Sequence, residues 1–188
     1  MALADATHTA EHPQRDWLAI KRAGLWLFFL SESVVVGLLL AARFFISGTD
    51  REHLDQELGL AITVLLLASS MSAFAAEAGI AKDNRKLFMW GTALTIFMGL
   101  VFAGGVAYEW TIAEFGPSNP FGTVFFAMTG VHAAHVLSGV FMLILVLLAG
   151  AKGKYSAKDH WPVSAVVMYW HFVDVVWVFF YPALYLVG

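Results

Sequence analysis

Five stretches of this chain stay apolar for about twenty residues or more, the length a helix needs to cross a hydrocarbon core of ~30 Å. They run from Gly24 to Ile46, Gly59 to Ile80, Leu87 to Ile112, Phe121 to Gly150 and Val163 to Val187. The expected fold is therefore all-α, a bundle of five transmembrane helices. The fourth run is longer than a perpendicular crossing requires, which predicts tilt or an extension beyond the membrane. Composition agrees with lipid as the solvent: of 188 residues 60% are hydrophobic and only 13% charged, with a mean hydropathy of +0.73.

Cysteine is absent, which excludes disulfides, thiolate nucleophiles and metal sites that need cysteine sulfur. A net charge of -3, with no lysine-rich run or glycine-rich phosphate loop, argues against nucleic acid or nucleotide. Residues 1–22 read as a polar N-terminal tail leading into an interfacial segment around Trp17 to Arg22, with no apolar core of the kind a cleavable signal has. Residues 23–188 form a single membrane domain, because the polar links between runs are too short to fold separately. Arg15, Lys21, Arg22, Lys82, Arg85, Lys86, Lys152, Lys154 and Lys158 fall on one side of an alternating path, against Arg43 and Arg51 on the other. By the bias of basic residues toward the cytoplasm, the N-terminus is expected inside and the C-terminus outside.

Small residues recur once per turn at Ala68, Ser72 and Ala76, at Gly91, Thr95 and Gly99, and at Gly130, Ala134 and Ser138. Stripes of this kind let helix backbones approach in lipid, where packing drives association. The ionisable residues inside the runs are more informative. Glu32 and His171 each lie roughly 12 Å from the same end of their helices, so the two can meet at one depth. Asp174 shares a face with His171, and His132 shares one with His135, because positions i and i+3 are neighbours.

A charged group at such depth costs several kcal/mol unless paired, so Glu32, His132, His135, His171 and Asp174 are expected to face the protein interior or a partner. His171 and Asp174 can bond each other or the facing His132 and His135. Three roles stay open on the residues alone: interior cross-links between helices, a proton relay, or a metal or haem site.

YWHFVDVVWVFFY at 169–181 resembles the last helix of subunit III of haem-copper respiratory oxidases. LFFLSESVVVG, which carries Glu32, DNRK at 83–86, YEW at 108–110 and FGTVFFAMTGVHAAHVLSG at 121–139 resemble further segments of that family, in order along the chain. The resemblance is to the five-helix bacterial form, without the two leading helices of the seven-helix members.

It implies a subunit of an aa3-type cytochrome c oxidase, or alternatively of a haem-copper quinol oxidase, in the bacterial cytoplasmic membrane. Such a subunit binds no haem or copper itself. Those centres lie in the partner subunits I and II, while subunit III packs on subunit I, holds phospholipid, supports proton uptake and stabilises the turning-over complex, which can join a larger respiratory supercomplex. The resemblance also implies that Glu32, His132, His135, His171 and Asp174 make buried polar contacts or face lipid or subunit I, and are not metal ligands. A stand-alone carrier would instead show repeats and broken helices, and a b-type haem carrier would use His132 or His135 with His171.

Overall fold

The computed structural model describes residues 16–49 and 54–187. Lipid leaves no water to satisfy a spanning backbone, so each apolar run closes its hydrogen bonds within itself as a helix. The helices are α1 (Trp17–Ser47), α2 (Gln56–Ala81), α3 (Arg85–Ile112), α4 (Pro120–Ala151) and α5 (Trp161–Tyr181), followed by a π-helical turn, Pro182–Leu186. All five spans are long and apolar enough to cross a membrane, and this is a multi-pass membrane protein.

The ends are written in the polar residues of the links. Asp16 accepts from the amides of Leu18 and Ala19 at the start of α1, so the segment from Trp17 to Arg22 is continuous with that helix. Asp55, Asn84 and Asn119 cap α2, α3 and α4 in the same way, and Pro120 follows its cap where a missing N–H costs nothing. At the other end of the chain Pro182 cannot donate to the preceding turn, and the backbone widens so that Val187 N bonds Pro182 O.

α2, α3, α4 and α5 pack in a ring, each against two neighbours, while α1 lies outside against α4 and α5. Between α2 and α3, Gly91 sits so close to the Ser72 carbonyl that an added β-carbon would be 2.9 Å from it. Gly99 and Gly139 flank the buried indole of Trp170 from α3 and α4, with an added β-carbon 2.5 Å and 2.9 Å from its ring. The small-residue stripes therefore hold on α3, where Gly91, Thr95 and Gly99 are buried. On α4 they do not: Ala134 and Ser138 are exposed, and Gly122, Gly139 and Gly150 are the close-approach positions.

The links on the side of the lysine and arginine residues are tied together. Asp83 adopts φ 54° to end α2, and its Oδ1 accepts from Ala157 N at 2.7 Å in the α4–α5 link. Arg85 donates to the carbonyl of Ala151 at the end of α4.

Candidate functional site

α5 carries polar groups on two faces. Toward α2, two indoles seven residues apart meet two hydroxyls: Trp170 Nε1 donates to Ser69 Oγ and Trp177 Nε1 to Thr63 Oγ1, each at 2.9 Å. Each hydroxyl hands its own proton to a carbonyl in its own helix, Leu66 O and Gly59 O. Higher numbers on α5 meet lower ones on α2, so the two helices are antiparallel. Ser70 follows Ser69 directly and turns to the next polar pair on α5. Its hydroxyl donates to Asp174 Oδ2 and lies 3.0 Å from His171 Nδ1, so a single serine joins the histidine and the aspartate.

Toward α4, the backbone of α5 does the work. His132 Nε2 lies 3.1 Å from the Val173 carbonyl, its ring held edge-on to Phe102 at 5.4 Å and beside Trp177 at 4.7 Å. A carbonyl only accepts, so Nε2 carries the proton of a neutral ring and Nδ1 carries a lone pair. One turn on, Tyr169 shares hydrogen bonds with Ser138 Oγ at 2.6 Å and His135 O at 3.2 Å.

The same reasoning fixes His135. Its Nδ1 is 2.8 Å from the Val131 carbonyl and therefore donates, while its Nε2 is 3.3 Å from Glu32 Oε2 across the α1–α4 contact. Two lone pairs at that distance would repel, so one proton lies between them. Either Glu32 is neutral and donates to the imidazole, or an imidazolium donates to the carboxylate. The pair is uncharged overall in both forms, which is how lipid tolerates it.

The sequence-derived residues thus assemble differently from expectation. Glu32 meets His135, not His171. His171 and Asp174 meet through Ser70 on α2, and neither bonds His132 or His135, because those two lie across another face of α5. His132 bonds backbone.

Further buried polar groups went unflagged by sequence reasoning. Arg43, counted above as a charge on the far side, is completely buried: it donates to Ala183 O at 3.1 Å, Ser47 Oγ at 2.7 Å and Gly48 O at 2.8 Å, and stacks over Phe121. It clasps the π-helical turn to the end of α1. Glu109, inside the YEW motif, accepts from Tyr185 Oη at 2.5 Å, and its residue is 1% exposed. The available signal was an arginine and a glutamate inside apolar runs, where an uncompensated charge demands a partner.

Among the described residues no three histidine or acidic side chains converge on a point that would hold a metal ion. What the arrangement does is cross-link helices: α1 to α4, α2 to α5, α4 to α5, and the chain's last turn to α1 and α3.

The comparisons with known proteins point one way. A family model for cytochrome c oxidase subunit III matches residues 4–188. The chain is 33% identical over 187 residues to cytochrome c oxidase subunit 3 of Thermostichus vulcanus, covering 95% of this chain and 90% of that one. It is 36% identical over 179 residues to the Corynebacterium diphtheriae protein of the same name, covering 86% and 85%. Against the ostrich protein, Struthio camelus, a match of 36% over 130 residues takes in 69% of this chain but 50% of the other. The chain belongs to the cytochrome c oxidase subunit III family.

Proposed function

We propose that this chain is subunit III of an aa3-type cytochrome c oxidase in an aerobic respiratory chain, seated in a bacterial cytoplasmic membrane with its N-terminus inside. It is a non-redox subunit. It packs on subunit I, holds phospholipid and keeps proton uptake and the active complex intact through turnover, while haem and copper reside in subunits I and II.

The observation that carries this reading is the way each intramembrane ionisable group is spent. A proton relay needs members that accept on one side and donate on the other, but His132 ends on a backbone carbonyl, which accepts hydrogen bonds and no proton. A bis-histidine haem needs two imidazoles facing each other, but His132 and His135 meet a different face of α5 from the one that carries His171, and His135 has both nitrogens engaged. Cross-links of this kind fix helix register, and a fixed register presents one defined face to a partner subunit.

The groove between α1 and α5 supports the lipid role. It has a volume of about 500 Å³ and is walled by Trp26, Phe29, Leu30, Met168, Phe172 and Val175. Near its end on the basic side Arg22, whose guanidinium lies 5.7 Å from the centre of the Trp161 ring, and Glu77 line one pocket, charges of both signs suited to a zwitterionic headgroup above an acyl chain.

The test is to purify the assembly gently and then repeat the purification without this chain. The expected complex holds two larger chains with all the haem and copper. Without this chain, oxygen reduction begins at a measurable rate but decays within fewer turnovers. A Soret band travelling with this polypeptide alone, or no oxygen reduction from the first turnover without it, would overturn the reading. An alkaline phosphatase reporter fused after the last residue, active there and inactive after Lys86, tests the orientation.

A further inference from the structure

α1, α4 and α5 leave a small cavity between them, about 20 Å³ in volume, with Glu32, His132 and His135 set among valines and phenylalanines in its wall. One water needs roughly 10–15 Å³ on this measure, so the space suits one molecule and no second. Size alone would not fill it, because an apolar void of this kind stays dry. Its wall is mostly apolar, and only the polar groups of Glu32, His132 and His135 can change that.

His132 Nδ1 is buried and has no hydrogen-bond partner among the described residues, in a side chain only 2% exposed. Because Nε2 already donates to Val173 O, Nδ1 is a lone pair in need of a donor. The surrounding rings do not offer one. Phe102 and Phe180 have no donor, and the N–H of Trp177 is committed to Thr63. His135 is committed to Val131 O and Glu32. His132 lines the cavity, and Glu32, which also lines it, brings carboxyl oxygens able to accept.

We propose that this cavity holds one ordered water, which donates one hydrogen to His132 Nδ1 and the other to Glu32, joining α1, α4 and α5 in a single hydrogen-bonded network. The network ends on two carbonyls, Val131 O and Val173 O. The proposal stands on the geometry of this chain and does not depend on which oxidase contains it.

A high-resolution cryo-electron microscopy map of the intact purified complex tests it directly. A single peak within hydrogen-bonding distance of both His132 Nδ1 and the Glu32 carboxyl is expected. A dry cavity, or continuous lipid density through it, would overturn the proposal. A mutant cycle gives an independent reading. Val176→Ile adds a methyl group to the cavity wall and should expel the water, stranding His132. The half-life of this subunit in the detergent-solubilised complex should then shorten about fivefold, the equivalent of one hydrogen bond of ~1 kcal/mol. With His132→Leu already present there is no lone pair to strand, and the same substitution should leave the half-life unchanged or longer. Equal shortening in both backgrounds would assign the effect to crowding and sink the proposal, as would a longer half-life in the His132 protein. If His132→Leu fails to assemble, the map decides.

Discussion

The first and fifth helices are both apolar enough to cross a membrane, yet the chain treats them as opposites. Half of α5's most apolar stretch is buried inside the bundle, against 6% for α1. α5 is held by indoles, a histidine, an aspartate and its own backbone, on faces that meet α2 and α4. α1 is held along a single stripe, Phe29, Glu32, Val36, Leu40, Arg43 and Ser47, spaced at helical period. Glu32 and Arg43, three turns apart, both point inward on it. Hydropathy says that a helix lives in lipid; the polar residues say which face the protein claims and how firmly.

The largest effect should come from the centre of α5. Trp170 fills the space that Gly99 and Gly139 leave open and donates to Ser69, so Trp170→Ala removes a large buried ring and a hydrogen bond together. Such truncations cost about 3–5 kcal/mol. Subunit retention in the purified complex should be lost. Retention at wild-type level would mean that α5 is no more central than α1.

Asp174→Ala comes next. It strips Ser70 of its acceptor and leaves a gap beside His171, for a loss of about 1–3 kcal/mol, while Asp174→Asn keeps an acceptor and should lose less. The readout is dissociation of this subunit in detergent and faster inactivation during turnover, with haem and copper content of the complex unchanged. Loss of a metal with the subunit still bound would show that the pair ligates it.

How much of this was legible beforehand divides along the same line. Five helices and their membrane setting followed from run length, because the cost of an unsatisfied backbone in lipid leaves one local solution. Glu32, His132, His135, His171 and Asp174 were legible as carriers of polar contacts, since a charge at depth needs a partner, while Arg43 and Glu109 carried the same signal and were passed over. The partners themselves were not legible. Periodicity fixes a face of each helix but not which neighbour it meets, and so Glu32 was matched with His171 by depth when the bundle sets it against His135. Ser70 was invisible because a hydroxyl costs little in a membrane helix and raises no alarm. A clue existed in the spacing: Trp170 and Trp177 are two turns apart, and Thr63 and Ser69 on α2 are nearly so, which suits a seam between the two helices. The π-helical turn was foreshadowed by Pro182, but its clasp by Arg43 requires the far end of α1 to lie beside the chain's last residues, a long-range fact no local pattern holds.

A smaller effect is expected where α1 makes its contact with α4. Glu32→Gln keeps hydrogen-bonding capacity toward His135 but removes the exchangeable proton the pair shares. The cost should be about 0.5–1.5 kcal/mol, read as a modest shift in subunit dissociation, with electron transfer still measurable. Infrared difference spectra of the complex should lose one exchangeable feature, either a protonated-carboxyl band or an imidazolium band. Complete loss of oxygen reduction in a normally assembled complex would give Glu32 a role beyond joining α1 to α4.

The smallest effect belongs to the outward face of α1. Leu27 and Leu38 are 66% and 65% exposed, three turns apart on the side of α1 opposite the stripe that meets α4 and α5. In water such residues would mark a docking patch, but in a membrane an acyl chain solvates leucine as well as another leucine does, and exposure there carries no penalty to be relieved. Leu27→Ala with Leu38→Ala should therefore change the unfolding of this subunit within the membrane by no more than about 0.5 kcal/mol, the range of surface substitutions. The pair is also a probe of what α1 meets outside the chain. If subunit dissociation from the complex stays at the wild-type rate, this face looks at lipid and the contrast with α5 is as sharp as the burial figures make it. If dissociation accelerates while the subunit's own unfolding is unchanged, the face meets another polypeptide and α1 is central to the assembly though peripheral to its own chain. If the subunit's own unfolding shifts by as much as with Asp174→Ala, then α1 is held by its own chain on both sides and the opposition between the two helices fails.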